Sequence, residues 1–148
     1  MRKLKAITLA ISFACIFFAA GIDAFARLDS ERWTSLQEGL SINTKSLFRQ
    51  ADNTVSLWVK IVPAEGSAFM YDARTHLMED GKDHQAYQFD YTGFLSEIDC
   101  SKKRHRELVT IMYDANKNII HAVEDSTAAW DNITPGSSFD LVQRAVCN

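Results

Sequence analysis

Hydrophobic and polar residues alternate most regularly over Thr54–Ile61. A period of two is typical of a strand with one buried face, and Pro63 then ends the segment. Leu40–Asn43 and Ser46–Phe48 predict two shorter strands before it, with Ala51–Asn53 as the turn into the strong one. The apolar positions that carry the alternation are Val55, Leu57, Val59 and Ile61.

The strand pattern returns in the second half of the chain. Phe94–Cys100, Arg104–Tyr113 and Asn118–Val123 are the predicted strands. Residues 114–118 between the last two are rich in Asp and Asn, which tolerate the left-handed backbone of a hairpin turn. Short turns between successive strands indicate an antiparallel meander.

The last residues change to a helical period. Pro135 and Gly136 break the backbone, Ser137 is a natural N-cap, and Asp140 follows at capping-box spacing. The apolar side of this helix consists of Phe139, Val142 and Val146. The predicted fold class is therefore α+β, an antiparallel sheet with a C-terminal helix packed on one face.

Residues 64–86 lack a clear pattern and are interpreted as the long, loop-like connection of the domain. Within them, Asp72–Met78 is predicted to form either one helical turn or extended chain. Connections of this kind often carry function.

The N-terminus has the three parts of a secretory signal. Positive residues at the start precede the apolar run Ala6–Ala20, and Ala24–Ala26 is a small-x-small cleavage site. We predict a signal peptide over 1–26 and a single domain over 27–148. The run is short for a membrane span, and bulky Phe13 does not suit lipidation of Cys15. The chain is thus expected to be exported, to the periplasm or the cell surface, without a stable anchor.

Removal of the signal changes the charge and leaves two cysteines. The remaining chain has 13 Lys and Arg against 18 Asp and Glu, a net charge of −5. That balance argues against a nucleic-acid binder. Cys100 and Cys147 predict a disulfide that would join the helix to a strand. The alternative is a catalytic thiol that works with one of the four histidines.

One basic run stands out in this acidic chain. Its charges could bind acidic segments of a protein or a sulfated glycan. The alternative is a solvated turn and strand edge, where lysines discourage aggregation. The candidate partner-binding residues are Lys102, Lys103, Arg104 and Arg106, with His105 between them.

A second set of polar residues recurs at intervals of four, which on a helix would align metal ligands: Asp72, His76, Asp80 and His84. Gly81 interrupts that helix, so a solvated loop is favoured, and we predict no metal and no cofactor. His105 and His121 are isolated on predicted strands, where a structural or surface role is expected.

The aromatic residues are interpreted mainly as core. Trp58 is the exception, because it points to the face opposite Val55 and Leu57 and lies either under the helix or exposed. The alternative is a binding surface built from Trp33, Trp58, Trp130, Tyr71, Tyr87, Phe89 and Tyr91. The sequence contains no nucleophile elbow and no phosphate-binding glycine loop, so catalysis is not predicted.

The chain also resembles the surface-adhesin protein E family of bacterial envelope proteins. The pieces that carry the resemblance follow one another in the family's order: Ser41–Leu47, Val55–Ile61, Glu97–Arg104, Arg106–Leu108, Tyr113–Asn116, Trp130–Ser137 and Val146–Cys147. The stretch 64–90 shows no match, and a binding loop is expected there.

This resemblance implies an exported antiparallel sheet with a C-terminal helix and a cysteine pair. It also implies adhesion to host matrix proteins such as vitronectin and laminin. The first hypothesis is thus a non-enzymatic adhesin that makes contact through the basic run and residues 64–90. The alternatives are a periplasmic accessory domain that docks on an envelope complex and, with least support, a small exported enzyme. The sequence does not indicate an oligomeric state.

Overall fold

The computed structural model describes residues 33–148, so the predicted signal segment and Cys15 lie outside the described residues. The described part of the chain forms seven strands and three helices. In chain order they are β1 (Trp33–Gln37), β2 (Leu40–Arg49), β3 (Thr54–Ile61), α1 (Ala68–Glu79), α2 (Asp83–Ala86), β4 (Phe89–Asp99), β5 (Arg104–Asp114), β6 (Ile119–Glu124), β7 (Asp131–Asn132) and α3 (Ser138–Val146).

All strands belong to one antiparallel sheet. Strands β1 to β6 are neighbours in the order of the chain, which confirms the predicted meander. The short β7 lies beside the start of β5, where Asn132 pairs with Arg104 and Asp131 with His105. Strands β1 and β7 are additions to the predicted set.

The two short strands predicted before β3 are one long strand, β2, with a register shift after Asn43. The Asn43 side-chain oxygen accepts hydrogen bonds from the backbone N–H groups of Lys45 and Ser46. The Ser46 hydroxyl in turn accepts one from the backbone N–H of Trp58. Side chains thus replace the ladder bonds that the irregularity interrupts, and the strand continues.

The predicted C-terminal helix is α3, and it packs on one face of the sheet. Ser137 caps it by accepting a hydrogen bond from the backbone N–H of Asp140. Val142 and Val146 are buried in a core formed with Leu40, Ile42, Val55, Leu57, Val59, Phe94 and Ile98. The Cys100–Cys147 disulfide, with the two Cα atoms 5.5 Å apart, fastens the end of the helix to the end of β4. The predicted disulfide is confirmed.

Residues 68–79 form a full helix instead of the single turn or extended chain predicted for Asp72–Met78. Ser67 caps α1 through the backbone N–H of Met70. The buried side of α1 consists of Met70, Ala73 and Leu77, which pack with Ala86, Phe89 and Met112. Seven of the twelve residues of α1 are apolar and do not keep to one side of the helix, so its helical period is weak in the sequence.

Helices α1 and α3 cover the same face of the sheet. Phe69 of α1 lies edge-on to Phe94, at 6.4 Å between ring centres, and Phe94 belongs to the core under α3. Among residues 33–148, no helix has the length and apolar character needed to cross a membrane.

Candidate functional site

The turn between β4 and β5 presents the lysines of the basic run. Lys102 and Lys103 are both exposed. The Asp99 carboxylate accepts a hydrogen bond from the backbone N–H of Lys102 at 2.9 Å, and Lys103 has a left-handed backbone with φ of 52°. The Asn53 side chain donates to the Ser101 hydroxyl at 3.1 Å. The lysines therefore stand on a turn that is hydrogen-bonded to the sheet at several points.

The arginines of the run are held differently, because each lies opposite a carboxylate of β4. The register pairs Arg104 with Asp99 and Arg106 with Glu97. The guanidinium-to-carboxylate distances are 3.1 Å and 2.7 Å. Cross-strand pairs of opposite charge stabilise a sheet. The structure thus separates the predicted patch into two exposed lysines and two half-buried arginines in ion pairs.

The carboxylates in these pairs are almost buried and well supplied with donors. Burial opposes ionisation of Asp99, yet the hydrogen bond from Lys102 and the Arg104 guanidinium outweigh it and lower the pKa of Asp99. Glu97 accepts hydrogen bonds from Gln50 at 2.8 Å and from Arg106. A charged, hydrogen-bonded layer therefore supports the base of the turn.

Trp130 adds an aromatic surface to this layer. The guanidinium carbons of Arg106 and Arg104 lie 4.6 Å and 5.3 Å from its ring centre, within cation–π range. Trp130 is half-buried. It packs against charged side chains at the surface, so the interpretation of this tryptophan as a core residue is wrong.

His105 lies between the two arginines in sequence but points to the opposite face of the sheet. Its ring stacks on Phe139 of α3 at 3.9 Å between centres. Burial lowers the pKa of His105, while burial and the nearby Asp131 carboxylate raise the pKa of Glu107. His105 therefore contributes to helix packing, in agreement with the structural role predicted for it.

The residues at metal-ligand spacing are only partly brought together. His76 of α1 and Asp80, the residue that caps the end of α1, approach His121 of β6, so that one ligand atom of each lies within 4.8 Å of the others. Asp72 and His84 are not in this group. Burial and the Lys82 ammonium lower the pKa of His121. Sequence spacing could not identify His121, because it is 41 residues beyond Asp80.

The aromatic residues divide between core and surface. Trp58 is 6 % exposed, yet it points away from α3, so both predicted alternatives for it, under the helix or exposed, are wrong. Lys60, on the same face, lies 4.8 Å from the ring centre of Trp33 and 5.8 Å from that of Tyr91. Phe89 and Tyr91 are buried, as predicted for core residues. Helices α1 and α2 form a helical connection between β3 and β4. In this helical connection, Tyr71 of α1 and Tyr87, the residue after α2, are 72 % and 73 % exposed.

The seven-stranded antiparallel sheet, with its helices on one face and its last helix fixed by a disulfide, defines a small disulfide-closed α+β domain. The model of the family described as Surface-adhesin protein E matches residues 33–148, and the chain belongs to this family. The resemblance found in the sequence is thereby confirmed. Membership gives the coarse function of an adhesin-like surface protein, which indicates a binding role rather than a catalytic one.

Solved structures with a similar fold include protein E of Haemophilus influenzae. Its crystal form II has a TM-score of 0.50 and 8 % identity, over 78 % of this chain and 86 % of that chain. Its selenomethionine form has a TM-score of 0.49 and 9 % identity, over 78 % and 84 %. A search of the curated proteins finds no match. At 8 % identity the first likeness shows the fold alone.

Proposed function

We propose that this protein is exported after cleavage behind Ala26 and adheres to host matrix proteins such as vitronectin or laminin. Membership of the adhesin family supports the binding role. The observation that carries the proposed contact site is the turn of residues 100–103, the lysine turn, which exposes Lys102 and Lys103. Its backbone is hydrogen-bonded to Asp99, and its first residue, Cys100, is in the disulfide.

A fixed turn favours binding because little conformational entropy is lost when a partner docks on it. Its two ammonium groups are a local positive feature on a chain whose net charge after export is −5. Acidic segments of a matrix protein, or sulfate groups, would be attracted to them and away from the rest of the surface. Arg104 and Arg106, paired with Asp99 and Glu97, maintain the shape of the turn in this proposal.

The test compares the lysines before β5, Lys102 and Lys103, with one lysine after it, Lys117. Lys103 precedes the strand with φ of 52°, and Lys117 lies in the turn after it with φ of 67°. We expect Lys102→Gln/Lys103→Gln to weaken binding to immobilised vitronectin or laminin about tenfold and to reduce its salt dependence, because charge-assisted contacts are lost. Lys117→Gln should bind as the unaltered protein does, since it removes a charge in the same backbone conformation far from the turn.

If Lys102→Gln/Lys103→Gln and Lys117→Gln weaken binding equally, the effect is one of overall charge and not of the lysine turn. If neither variant weakens binding, the lysine turn is not the contact site. In the latter case the helical connection is the next surface, because tyrosines are enriched in interfaces and Tyr71 and Tyr87 are exposed there. Tyr71→Ser/Tyr87→Ser should leave binding unchanged if the lysine turn is the contact.

A further inference from the structure

A group of metal-ligating side chains lies outside the lysine turn, where α1 meets β6. The Asp80 carboxylate oxygen Oδ2 is 3.3 Å from His121 Nδ1 and 3.9 Å from His76 Nε2. The two imidazole rings are nearly perpendicular, with their centres 5.2 Å apart. Residues from two separate elements therefore direct three potential ligand atoms at one small volume.

The backbone holds these residues on well-packed elements. His76 and Asp80 are four residues apart at the end of α1 and share one side of it, and Leu77 between them is fully buried. Gly81 follows with φ of 72°, which lets the chain reverse. His121 is 8 % exposed on β6. Sites on packed helices and strands keep their geometry better than sites on loops.

Lys82 is a further neighbour of the His121 ring. The Lys82 Nζ atom is 2.8 Å from His121 Nδ1. Because an ammonium group can only donate, Nδ1 must accept and carries a lone pair. That lone pair lies 3.3 Å from a carboxylate oxygen, and a positive charge beside two such acceptors stabilises them. The Lys82 ammonium supplies this charge in the absence of any other.

We propose that His76, Asp80 and His121 bind a divalent transition-metal ion of the zinc type, and that Lys82 is the internal cation that the metal displaces. In a tetrahedral zinc site with ligand bonds near 2.1 Å, the ligand atoms lie about 3.3 to 3.5 Å apart. The Asp80–His121 pair already has this spacing. His76 lies 3.9 Å from Asp80, and all three ligand atoms lie within 4.8 Å of one another. To reach tetrahedral spacing, His76 must therefore move about half an ångström closer to Asp80 and up to about 1.4 Å closer to His121.

The donor set selects the class of metal. Two imidazole nitrogens and one carboxylate suit zinc, nickel, copper or ferrous iron, whereas calcium takes six to eight oxygens and magnesium keeps an octahedral oxygen shell. Three protein ligands leave a fourth position for water or for a donor group of a partner.

The test uses the untagged, exported protein with zinc or cobalt ions as the only additions. We expect zinc to bind with one ion per chain by isothermal titration, and cobalt to give a visible ligand-field spectrum. His76→Ala should reduce zinc affinity at least tenfold, because it removes one of three ligands. This histidine is exposed, so the fold should be retained, which circular dichroism would check. His84→Ala, an exposed histidine of α2 outside the group, is the matched control and should bind as the unaltered protein does.

Lys82→Met gives an independent readout, because removal of the competing ammonium should raise zinc affinity several-fold. Zinc should also raise the melting temperature of the unaltered protein and not that of His76→Ala. Absence of binding, or equal loss in His76→Ala and His84→Ala, would overturn the metal site. Unchanged affinity in Lys82→Met would overturn the displacement of Lys82.

Discussion

Individual residues of the basic run have different environments because a strand places alternate side chains on opposite faces. Arg104 and Arg106 lie on one face against Asp99 and Glu97, and His105 lies on the other against Phe139. The residues of the basic run are consecutive in the sequence, but their side chains lie on two different faces of the sheet. Cross-strand pairing of 97 with 106 and 99 with 104 follows from a turn of four residues, so the ion pairs could have been anticipated once the turn was fixed.

Gly39, between β1 and β2, gives a sharp test of the backbone. It has φ of 73°, and a Cβ atom there would lie 2.4 Å from the carbonyl oxygen of Val62. The Val62 N–H also donates to the Gly39 carbonyl at 2.8 Å, so the two segments cannot easily separate. We expect Gly39→Ala to lower the free energy of unfolding by about 2 kcal/mol or more, measured by urea denaturation.

Gly66→Ala is the matched control for this substitution. Gly66 has φ of 75°, but a Cβ atom added there would meet no other atom within 4 Å. Only the left-handed backbone then contributes, at about 1 kcal/mol. Equal losses at the two positions would contradict the close contact between Gly39 and Val62.

Elements with a strong period could be predicted from the sequence, and elements defined by distant contacts could not. Strand β3 alternates regularly, and α3 has both a cap and an apolar side, so each appears where expected. Helix α1 is apolar at seven of its twelve positions, but these are spread around the helix and only three are buried. The buried ones belong to the core only because Phe89 and Met112 lie beneath them. Strand β7 has two residues and exists through pairing with β5, a non-local contact that a local pattern cannot contain.

The Cys100–Cys147 disulfide makes a prediction about how α3 is held. It closes a loop with a sequence separation of 47. In the chain-entropy model, Cys100→Ser/Cys147→Ser should therefore lower the free energy of unfolding by about 4 kcal/mol. Denaturant titration of the variant and of reduced unaltered protein should give matching curves, since both lack the same cross-link. A variant as stable as the oxidised protein would contradict this role.

At the scale of the domain, the two proposed sites are well separated. The lysine turn adjoins the start of β5 at Arg104, whereas His121 pairs with Met112 near its other end. About eight residues of extended strand place these positions about 27 Å apart. Substitutions at one site should therefore leave the other unchanged. The fold class could be predicted from the sequence, while Lys102 and Lys103 as a contact site stay a prediction. The grouping of His76, Asp80 and His121 depends on α1 meeting β6, which no sequence spacing specifies.

We propose that this domain faces the host as an adhesin, which requires that it be displayed on the cell surface. The most direct measurement is protease digestion of the protein on intact cells, with a known periplasmic protein as the control for leakage. The proposal predicts digestion of this protein while the periplasmic control stays intact. Full protection, lost only when the outer membrane is opened, would contradict surface display and favour a periplasmic accessory role.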